Sequence, residues 1–342
     1  MSEEIAWKDC RELRIEGKGW SDTLSFYDRL PGRAKGTVRD PVWDLGQHSA
    51  GICCRFVTDA PSIQARWSLR FESLAMHHMP ATGVSGLDLY VRTAGIWRWA
   101  GFGAPTQYPT NAGPLVANMA PGAREYLLYL PLYNGVTSVE VGVPTGCRLE
   151  PGPDRPETHR RPVVFYGTSI TQGGCASRPG MAHVAILGRW LDRPVINLGF
   201  SGNGTMDLSV AELMAELDPA VYVIDCLPNM HPELVAERTA PLVKAIRRTR
   251  PCTPILLVED RTYSNAYLIP GGEQSQQGMR AALRTTYDDL VLAGDRHLHY
   301  QPGACLLGDD GEGTVDTSHP TDLGFHRQAT AMLPLLQRLA TQ

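Results

Sequence analysis

Three side chains in the second half of the sequence could together carry out nucleophilic catalysis. Ser169 follows a short apolar run, and His319 lies three residues after Asp316. A serine hydroxyl is a weak nucleophile at neutral pH unless a positioned base takes its proton, and that base works best when a carboxylate fixes its tautomer. In a turn, residues three apart can project to one side, so Asp316 can orient His319 toward Ser169. The pattern predicts acyl transfer through a serine nucleophile, with activity rising as His319 loses its proton.

Two further segments could supply hydrogen-bond donors for the same reaction. Gly202 lies in a stretch with two glycines, and Asn229 follows a proline. The tetrahedral intermediate of acyl transfer needs donors aimed at its oxyanion, and the loss of one donor costs roughly 10²–10³ in turnover. The backbone N–H groups of Ser169 and Gly202 and the side-chain amide of Asn229 are suitable donors. We therefore predict an oxyanion hole formed by Ser169, Gly202 and Asn229.

The pattern of apolar residues predicts elements that bring these segments together. Near-continuous apolar runs predict buried parallel strands at residues 162–166, 195–200, 221–226 and 255–259. Helices are predicted at residues 181–191, 207–217, 232–250, 274–293 and 320–339. This alternation predicts an α/β domain with a doubly wound, flavodoxin-like parallel sheet, in which ligands bind beyond the carboxyl ends of the strands. Three of the polar segments follow predicted strands and the fourth precedes the last helix, so we expect them to meet at one rim.

In the first half of the chain, the apolar residues follow a different periodic pattern. From about residue 25 to 143, short runs rich in β-branched and aromatic residues are separated by Pro, Gly, Asp and Asn. In residues 63–69 apolar and polar side chains alternate, as on a strand with one buried face. This half therefore predicts a β-sandwich with jelly-roll topology. Residues 150–156 contain three prolines, which disfavour helix and central strand, so we place a boundary there between domains at 1–155 and 156–342.

The four polar segments resemble, in order, the conserved blocks of the SGNH (GDSL-type) hydrolases. The blocks are Ser169 in Gly-Thr-Ser-Ile, Gly202 in Phe-Ser-Gly-Asn-Gly, Asn229 in Leu-Pro-Asn-Met and His319 in Asp-Thr-Ser-His-Pro. The resemblance covers about residues 160 to 342 and implies a Ser-His-Asp esterase with an oxyanion hole of three donors. The N-terminal half resembles the β-sandwich that precedes this domain in one subgroup, which includes carbohydrate acetyl esterases and an acyltransferase of antibiotic biosynthesis.

The sequence departs from the family pattern at two places. Thr168 stands where the Gly-Asp-Ser-Leu signature has its acid, and only Asn229 remains of the usual Gly-Gly-Asn-Asp stretch. Pro228 restricts the backbone there and could hold the Asn229 loop rigid without glycines. The Gly-x-Ser-x-Gly elbow of the α/β-hydrolases is absent, because Thr171 stands at the position of the second glycine.

The resemblance implies a serine esterase that hydrolyses short acyl esters, with acetyl esters of a carbohydrate or glycoside as the first choice of substrate. Two alternatives stay open: an acyltransferase that uses the same acyl-enzyme, and a carbohydrate-binding protein without catalysis. Whether the first domain contributes His77 or His78 to the site also stays open. There is no Walker loop or GxGxxG, and His297 and His299 have no further ligands at suitable spacing, so we expect no cofactor and no metal.

The composition of the sequence limits which classes of partner the protein is expected to bind. Lys and Arg total 32 against 36 Asp and Glu, and a net charge of −4 gives no positive field to attract nucleic acid. No apolar run reaches the ~7–15 residues of a signal peptide near the N-terminus or the ~18–20 of a membrane-spanning helix. The eight cysteines are scattered, which is typical of reduced thiols. We therefore expect a soluble, cytoplasmic protein without a membrane partner, and the sequence leaves its oligomeric state open.

Overall fold

The computed structural model describes residues 4–304 and 306–341, with only the backbone of residues 272, 273 and 275. The contacts divide the chain into two units. The first unit comprises the residues up to Pro31, Gln47–Pro156 and Ser177–Gly180; the second comprises Gly32–Gly46, Glu157–Ala176 and the residues from Met181 onward. Both units are therefore discontinuous in sequence, whereas the boundary at residue 155 that we expected is a single cut. Among the cysteines, Cys305 lies outside the described residues, and the other seven are free thiols.

The first unit is built from antiparallel strands. They are β1 (Ile5–Asp9), β2 (Arg14–Glu16), β3 (Cys53–Thr58), β4 (Ile63–Leu69), β5 (Leu87–Thr93), β6 (Ile96–Gly103), β7 (Thr110–Val116), β8 (Arg124–Tyr129), β9 (Val136–Pro144) and β10 (Leu149–Pro151). One sheet has the order β1-β9-β4-β7 and the other β10-β3-β8-β5-β6, with β2 paired to β3. The two sheets contribute to one apolar core, in which Trp67 of β4 and Phe56 of β3 are buried. Jelly-roll topology stays a prediction.

The segment Ser177–Gly180 belongs to the first unit because of a buried carboxylate. Asp88 is fully buried on β5, and its Oδ2 accepts hydrogen bonds from Arg178 Nη1 and the Gly180 N–H, both at 2.8 Å. Its Oδ1 accepts from Trp99 Nε1 at 2.9 Å. Burial raises the pKa of Asp88, against the opposing charge of Arg178.

The second unit contains a parallel sheet of five strands. They are β11 (Val163–Gly167), β12 (Val195–Gly199), β13 (Val221–Asp225), β14 (Ile255–Val258) and β15 (Leu298–Gln301). The spatial order β12-β11-β13-β14-β15 is the flavodoxin order 2-1-3-4-5, which confirms the predicted sheet. Every residue of β11, β12 and β13 is buried, as strands covered on both faces require.

Eight α-helices accompany the strands in the described part of the chain. They are α1 (Asp40–Gly46), α2 (Ala81–Val84), α3 (Ser169–Gln172), α4 (His183–Trp190), α5 (Leu208–Ala215), α6 (Pro232–Arg247), α7 (Gly272–Leu292) and α8 (Asp322–Leu339). Helix α8 begins two residues after the predicted start, because the Thr321 hydroxyl caps it by accepting from the Gly324 N–H at 3.1 Å. None of the described helices is both long and apolar enough to cross a membrane.

Candidate active site

Ser169 is the first residue of helix α3, directly beyond the carboxyl end of β11. The helix is capped by Thr168, whose Oγ1 accepts from the Ile170 N–H at 3.3 Å, so the Ser169 hydroxyl is not needed as a cap. The carbonyl of Ser169 accepts from the N–H groups of Gly173 and Gly174 at 2.9 and 2.7 Å. These bonds fix the backbone of a serine whose surface is only 7% exposed.

A continuous chain of hydrogen bonds joins Ser169, His319 and Asp316. Ser169 Oγ lies 2.8 Å from His319 Nε2, and His319 Nδ1 lies 2.7 Å from Asp316 Oδ2. Asp316 Oδ1 also accepts from the backbone N–H of His319 at 2.8 Å and of Ser318 at 3.2 Å. Partial burial opposes ionisation of Asp316, but the hydrogen bonds from His319 outweigh it and hold the pKa of the carboxyl below its ordinary value. Asp316 is therefore a carboxylate that orients the imidazole.

The turn that carries these two residues is closed on itself. The Val315 N–H donates to the His319 carbonyl at 2.8 Å, and Thr314 pairs with Pro320 in an isolated β-bridge. Thr317 has a φ of 76°, which tightens the turn enough to bring the Asp316 carboxylate back to His319. His319 thus lies in a turn before helix α8.

Gly202 and Asn229 lie on loops that touch each other. Gly202 follows β12 with a φ of 68°, in the left-handed region that favours glycine. The N–H of Gly204 donates to Asn229 Oδ1 at 3.2 Å, which leaves the Nδ2 of Asn229 to donate elsewhere. A Cβ on Gly204 would lie 2.1 Å from the carbonyl oxygen of Gly167, so only glycine lets this loop approach the end of β11 so closely. The structure thus brings the Gly202 and Asn229 loops together beside the residues that precede Ser169.

A buried ion pair beneath these loops was missed by the sequence analysis. Asp225 ends β13, and both of its carboxylate oxygens accept from the guanidinium of Arg261, one of them at 2.7 Å. The side chains of Asp225 and Arg261 are 0% and 2% exposed. Thr171 Oγ1 of α3 donates to Asp225 at 3.4 Å, and Arg261 Nε donates to Gln328 of α8 at 3.1 Å. The pair therefore links the helix that begins at Ser169 to the helix that follows His319.

Cys175 is a further neighbour of the candidate triad. Ligand atoms of Cys175, Asp316 and His319 lie within 4.8 Å of one another, a set that could hold a metal ion. Burial and the charge of Asp316 raise the pKa of the Cys175 thiol to about 12, so the thiol is protonated at neutral pH. Both ring nitrogens of His319 are also engaged by hydrogen bonds. The arrangement suits proton transfer better than metal binding.

The other histidines singled out in the sequence have different surroundings. His231 is 65% exposed, and its ring caps helix α6 and contacts Glu233 at 2.8 Å. The rings of His77 and His78 stack on each other in the first unit, with centroids 4.4 Å apart. A contribution of either to the site stays a prediction.

Family comparisons agree with this geometry. A model of the GDSL-like lipase/acylhydrolase family matches residues 160–337, and a model of the N-terminus of SGNH-hydrolase-type esterases matches residues 5–149. The chain belongs to the GDSL-like lipase/acylhydrolase family. It is an SGNH-type esterase, as the sequence predicted. The N-terminal model takes its name from a Gly-x-Asp-Leu-Tyr motif, which residues 86–90 contain and which includes the buried Asp88.

Solved structures extend the similarity over the whole chain. A GDSL-like lipase from Bacteroides ovatus, described as putative, is 33% identical, with a TM-score of 0.92 and coverage of 98% of both chains. A salicylyl-acyltransferase from a tetracycline biosynthetic pathway shares the fold at 16% identity, with a TM-score of 0.76 over 99% of both chains. A family two carbohydrate esterase from Clostridium thermocellum, in complex with cellohexaose, shares it at 16% identity and a TM-score of 0.60, over 84% of this chain and 92% of that one. No curated protein matches the sequence.

Proposed function

We propose that this esterase works through an acyl-enzyme on Ser169. The observation that carries the proposal is the hydrogen-bonded chain of Ser169, His319 and Asp316, with heavy-atom distances of 2.8 and 2.7 Å. Nucleophile and base at such distances, with a third group orienting the base, are the arrangement that activates a serine hydroxyl.

The proposed reaction has two steps. In the first, His319 Nε2 takes the proton of the Ser169 hydroxyl while Oγ attacks the ester carbonyl, and Asp316 stabilises the imidazolium. The oxyanion accepts hydrogen bonds from the N–H groups of Ser169 and Gly202 and the amide of Asn229. The imidazolium then protonates the departing alcohol and leaves an acyl-Ser169. In the second step His319 takes a proton from water, the resulting nucleophile attacks the acyl group, and Ser169 regains its proton.

For the substrate we propose a short acyl ester, with an acetyl group on a carbohydrate or glycoside as the first choice. Support comes from the fold shared with the carbohydrate esterase that binds cellohexaose and with an acetyl xylan esterase from Butyrivibrio proteoclasticus, at a TM-score of 0.59 and 11% identity. The second candidate is transfer of the acyl group to an alcohol or amine. It is favoured by the salicylyl-acyltransferase, whose fold match extends over 99% of this chain.

A labelling experiment tests the nucleophile. A fluorophosphonate is added to the wild type, to Ser169→Ala and to the control variant Ser138→Ala, which changes a serine on strand β9. The adduct is then located by mass spectrometry. We expect a single adduct, on Ser169, in the wild type and in Ser138→Ala, and no adduct in Ser169→Ala. Ser138→Ala should hydrolyse p-nitrophenyl acetate at the wild-type rate, whereas Ser169→Ala should not. An adduct on another serine, or undiminished hydrolysis by Ser169→Ala, would refute the assignment.

Substrate and reaction type are tested by competition and by product analysis. Acetylated cello- and xylo-oligosaccharides are compared with p-nitrophenyl acetate and p-nitrophenyl laurate as competitors of the labelling. The acetylated sugars should protect Ser169, whereas protection by laurate alone would contradict the carbohydrate ester. Products are then measured with and without added glycoside acceptors, because a hydrolase releases acid at the same rate in both cases and a transferase turns over only with the acceptor.

A further inference from the structure

The loop that carries Gly202 has no regular secondary structure of its own. It connects β12 to α5, and residues 201–207 lie outside strand and helix. Within the loop, the Asn203 N–H donates to the Phe200 carbonyl at 2.8 Å, and Asn203 Nδ2 donates to the Ser201 carbonyl at 3.0 Å. These local bonds shape a turn around Gly202, but they do not fix that turn to the rest of the second unit.

An arginine from a distant part of the sequence anchors this loop. Arg39 directly precedes helix α1 and lies more than 160 residues before the loop in sequence. Its Nη1 donates to Asn203 Oδ1 at 2.8 Å, and its Nη2 donates to the Asn203 carbonyl at 2.9 Å and to Thr205 Oγ1 at 3.0 Å. Its Nε donates to Asp207 Oδ2 at 3.0 Å. One rigid guanidinium thus binds the side chains of three alternate loop residues and one carbonyl.

A second arginine, which follows the loop in sequence, binds the same loop. Arg238 of helix α6 donates through Nη1 to Asp207 Oδ1 at 2.7 Å and to the Thr205 carbonyl at 3.0 Å. Asp207 is buried, and its backbone N–H donates to the hydroxyl of Tyr166 on β11 at 3.0 Å. The bond to Tyr166 fixes the C-terminal end of the loop to the sheet, at the residue that both arginines share. At the end nearer Gly202, Arg39 binds Asn203, and the Ser201 N–H donates to Gln172 Oε1 at 3.1 Å.

We propose that Arg39 is a positioning residue that holds the Gly202 loop in the geometry of the oxyanion hole. Asn203, its main partner, separates Gly202 from Gly204, whose N–H binds the Oδ1 of Asn229. Fixing Asn203 therefore orients two of the three proposed oxyanion donors at once. The inference rests on the proposed function, in which those donors stabilise the tetrahedral intermediate.

The expected effect follows from the preorganisation that an oxyanion hole needs. Donors stabilise the transition state only if they are already aimed at the oxyanion, and a complete loss of one costs roughly 10²–10³ in turnover. Glycine has more conformational freedom than any other residue, so a turn at Gly202 without its anchor samples other orientations. Loss of Arg39 leaves both donors present but misaligned part of the time. We therefore expect kcat to fall about 10- to 100-fold, with KM changed less than about 3-fold.

The experiment compares Arg39→Ala and Arg39→Lys with a matched control from the same segment. Arg33→Ala breaks a pair with Glu216 that is 47% and 44% exposed and lies outside the loop. Steady-state kinetics with p-nitrophenyl acetate, the rate of fluorophosphonate labelling and the Tm are measured for each variant. We expect Arg39→Ala to lose kcat and labelling rate, Arg39→Lys to recover part of both, and Arg33→Ala to match the wild type.

A wild-type kcat in Arg39→Ala, or equal losses in Arg39→Ala and Arg33→Ala, would overturn the inference. If Arg39→Ala does not fold, Arg39→Lys decides, because a lysine cannot reproduce the planar fork and should still lower kcat without raising KM. A wild-type kcat in Arg39→Lys would then overturn it. Failure of the proposed function has a different signature: Ser169→Ala would retain full activity, whatever the Arg39 variants do.

Discussion

Removing Arg261 should destabilise the second unit strongly, because this buried residue is hydrogen-bonded to Asp225 and Gln328. The substitution Arg261→Met keeps much of the side-chain volume but leaves the Asp225 carboxylate, which is 0% exposed, without its cation. Breaking a buried ion pair from one side costs about 3–5 kcal/mol, because an uncompensated charge stays in a low dielectric. At ~2–4 °C per kcal/mol for a unit of this size, the Tm should fall by roughly 6–20 °C.

The control for this prediction is an exposed arginine in a pair of the same chemical type. Arg284→Met breaks the pair of Arg284 with Asp288 on α7, whose side chains are 55% and 50% exposed, and an exposed i,i+4 pair contributes only about 0.3–0.5 kcal/mol. Calorimetry or urea denaturation of the full chain measures both variants. The double variant Arg261→Met/Asp225→Asn should recover part of the loss because the uncompensated Asp225 carboxylate is removed. Equal destabilisation by Arg261→Met and Arg284→Met, or no recovery in the double variant, would refute the reasoning.

Two further predictions concern other buried groups. Burial lowers the pKa of His183 to about 3, against the opposing charge of Asp225. Below pH ~6.5 the unfolded chain therefore binds a proton at this histidine that the folded chain does not. As the pH falls from there, the free energy of unfolding should decrease by ~1.4 kcal/mol per pH unit. In urea denaturation between pH 6 and 4, the free energy of unfolding should depend less on pH in His183→Phe than in the wild type. The control His326→Phe, at an exposed position, should keep the wild-type dependence. Equal slopes in the wild type and both variants would contradict this prediction. Iodoacetamide at pH 7.5 should alkylate the exposed Cys252 well before the buried Cys175, whose thiol stays protonated, and peptide mass spectrometry showing the reverse order would disprove this.

The sequence predicted the sheet of the second unit because local pattern determines it. Strands such as β11 and β14 are apolar runs, as strands buried on both faces require. The turn from Asp316 to His319 could also be predicted, because both residues lie within one local segment. Their geometry agrees with the proposed roles, which stay predictions until the activity is measured.

The residues that support the site could not be found in the same way. Arg39 acts on Asn203 across 164 positions of sequence, from a stretch in which nothing marks one arginine among several. Asp225 and Arg261 pair across 36 positions, and a charged residue at the end of an apolar strand usually indicates contact with solvent. Long-range polar pairs of this kind leave no periodic signal, so only the folded chain reveals them.

Gly32–Gly46 belongs to the second unit although it lies within the N-terminal part of the sequence, and this restricts where the protein can be cut into fragments. A fragment starting at Glu157 would contain the parallel sheet, the nucleophile and the histidine turn, and would lack the guanidinium that anchors the glycine loop. Grafting such a fragment onto another sandwich would lose the same group unless the new neighbour supplied it. Although two family models divide the sequence near residue 155, recombination between relatives would have to exchange Gly32–Gly46 together with the rest of the second unit to keep this support intact.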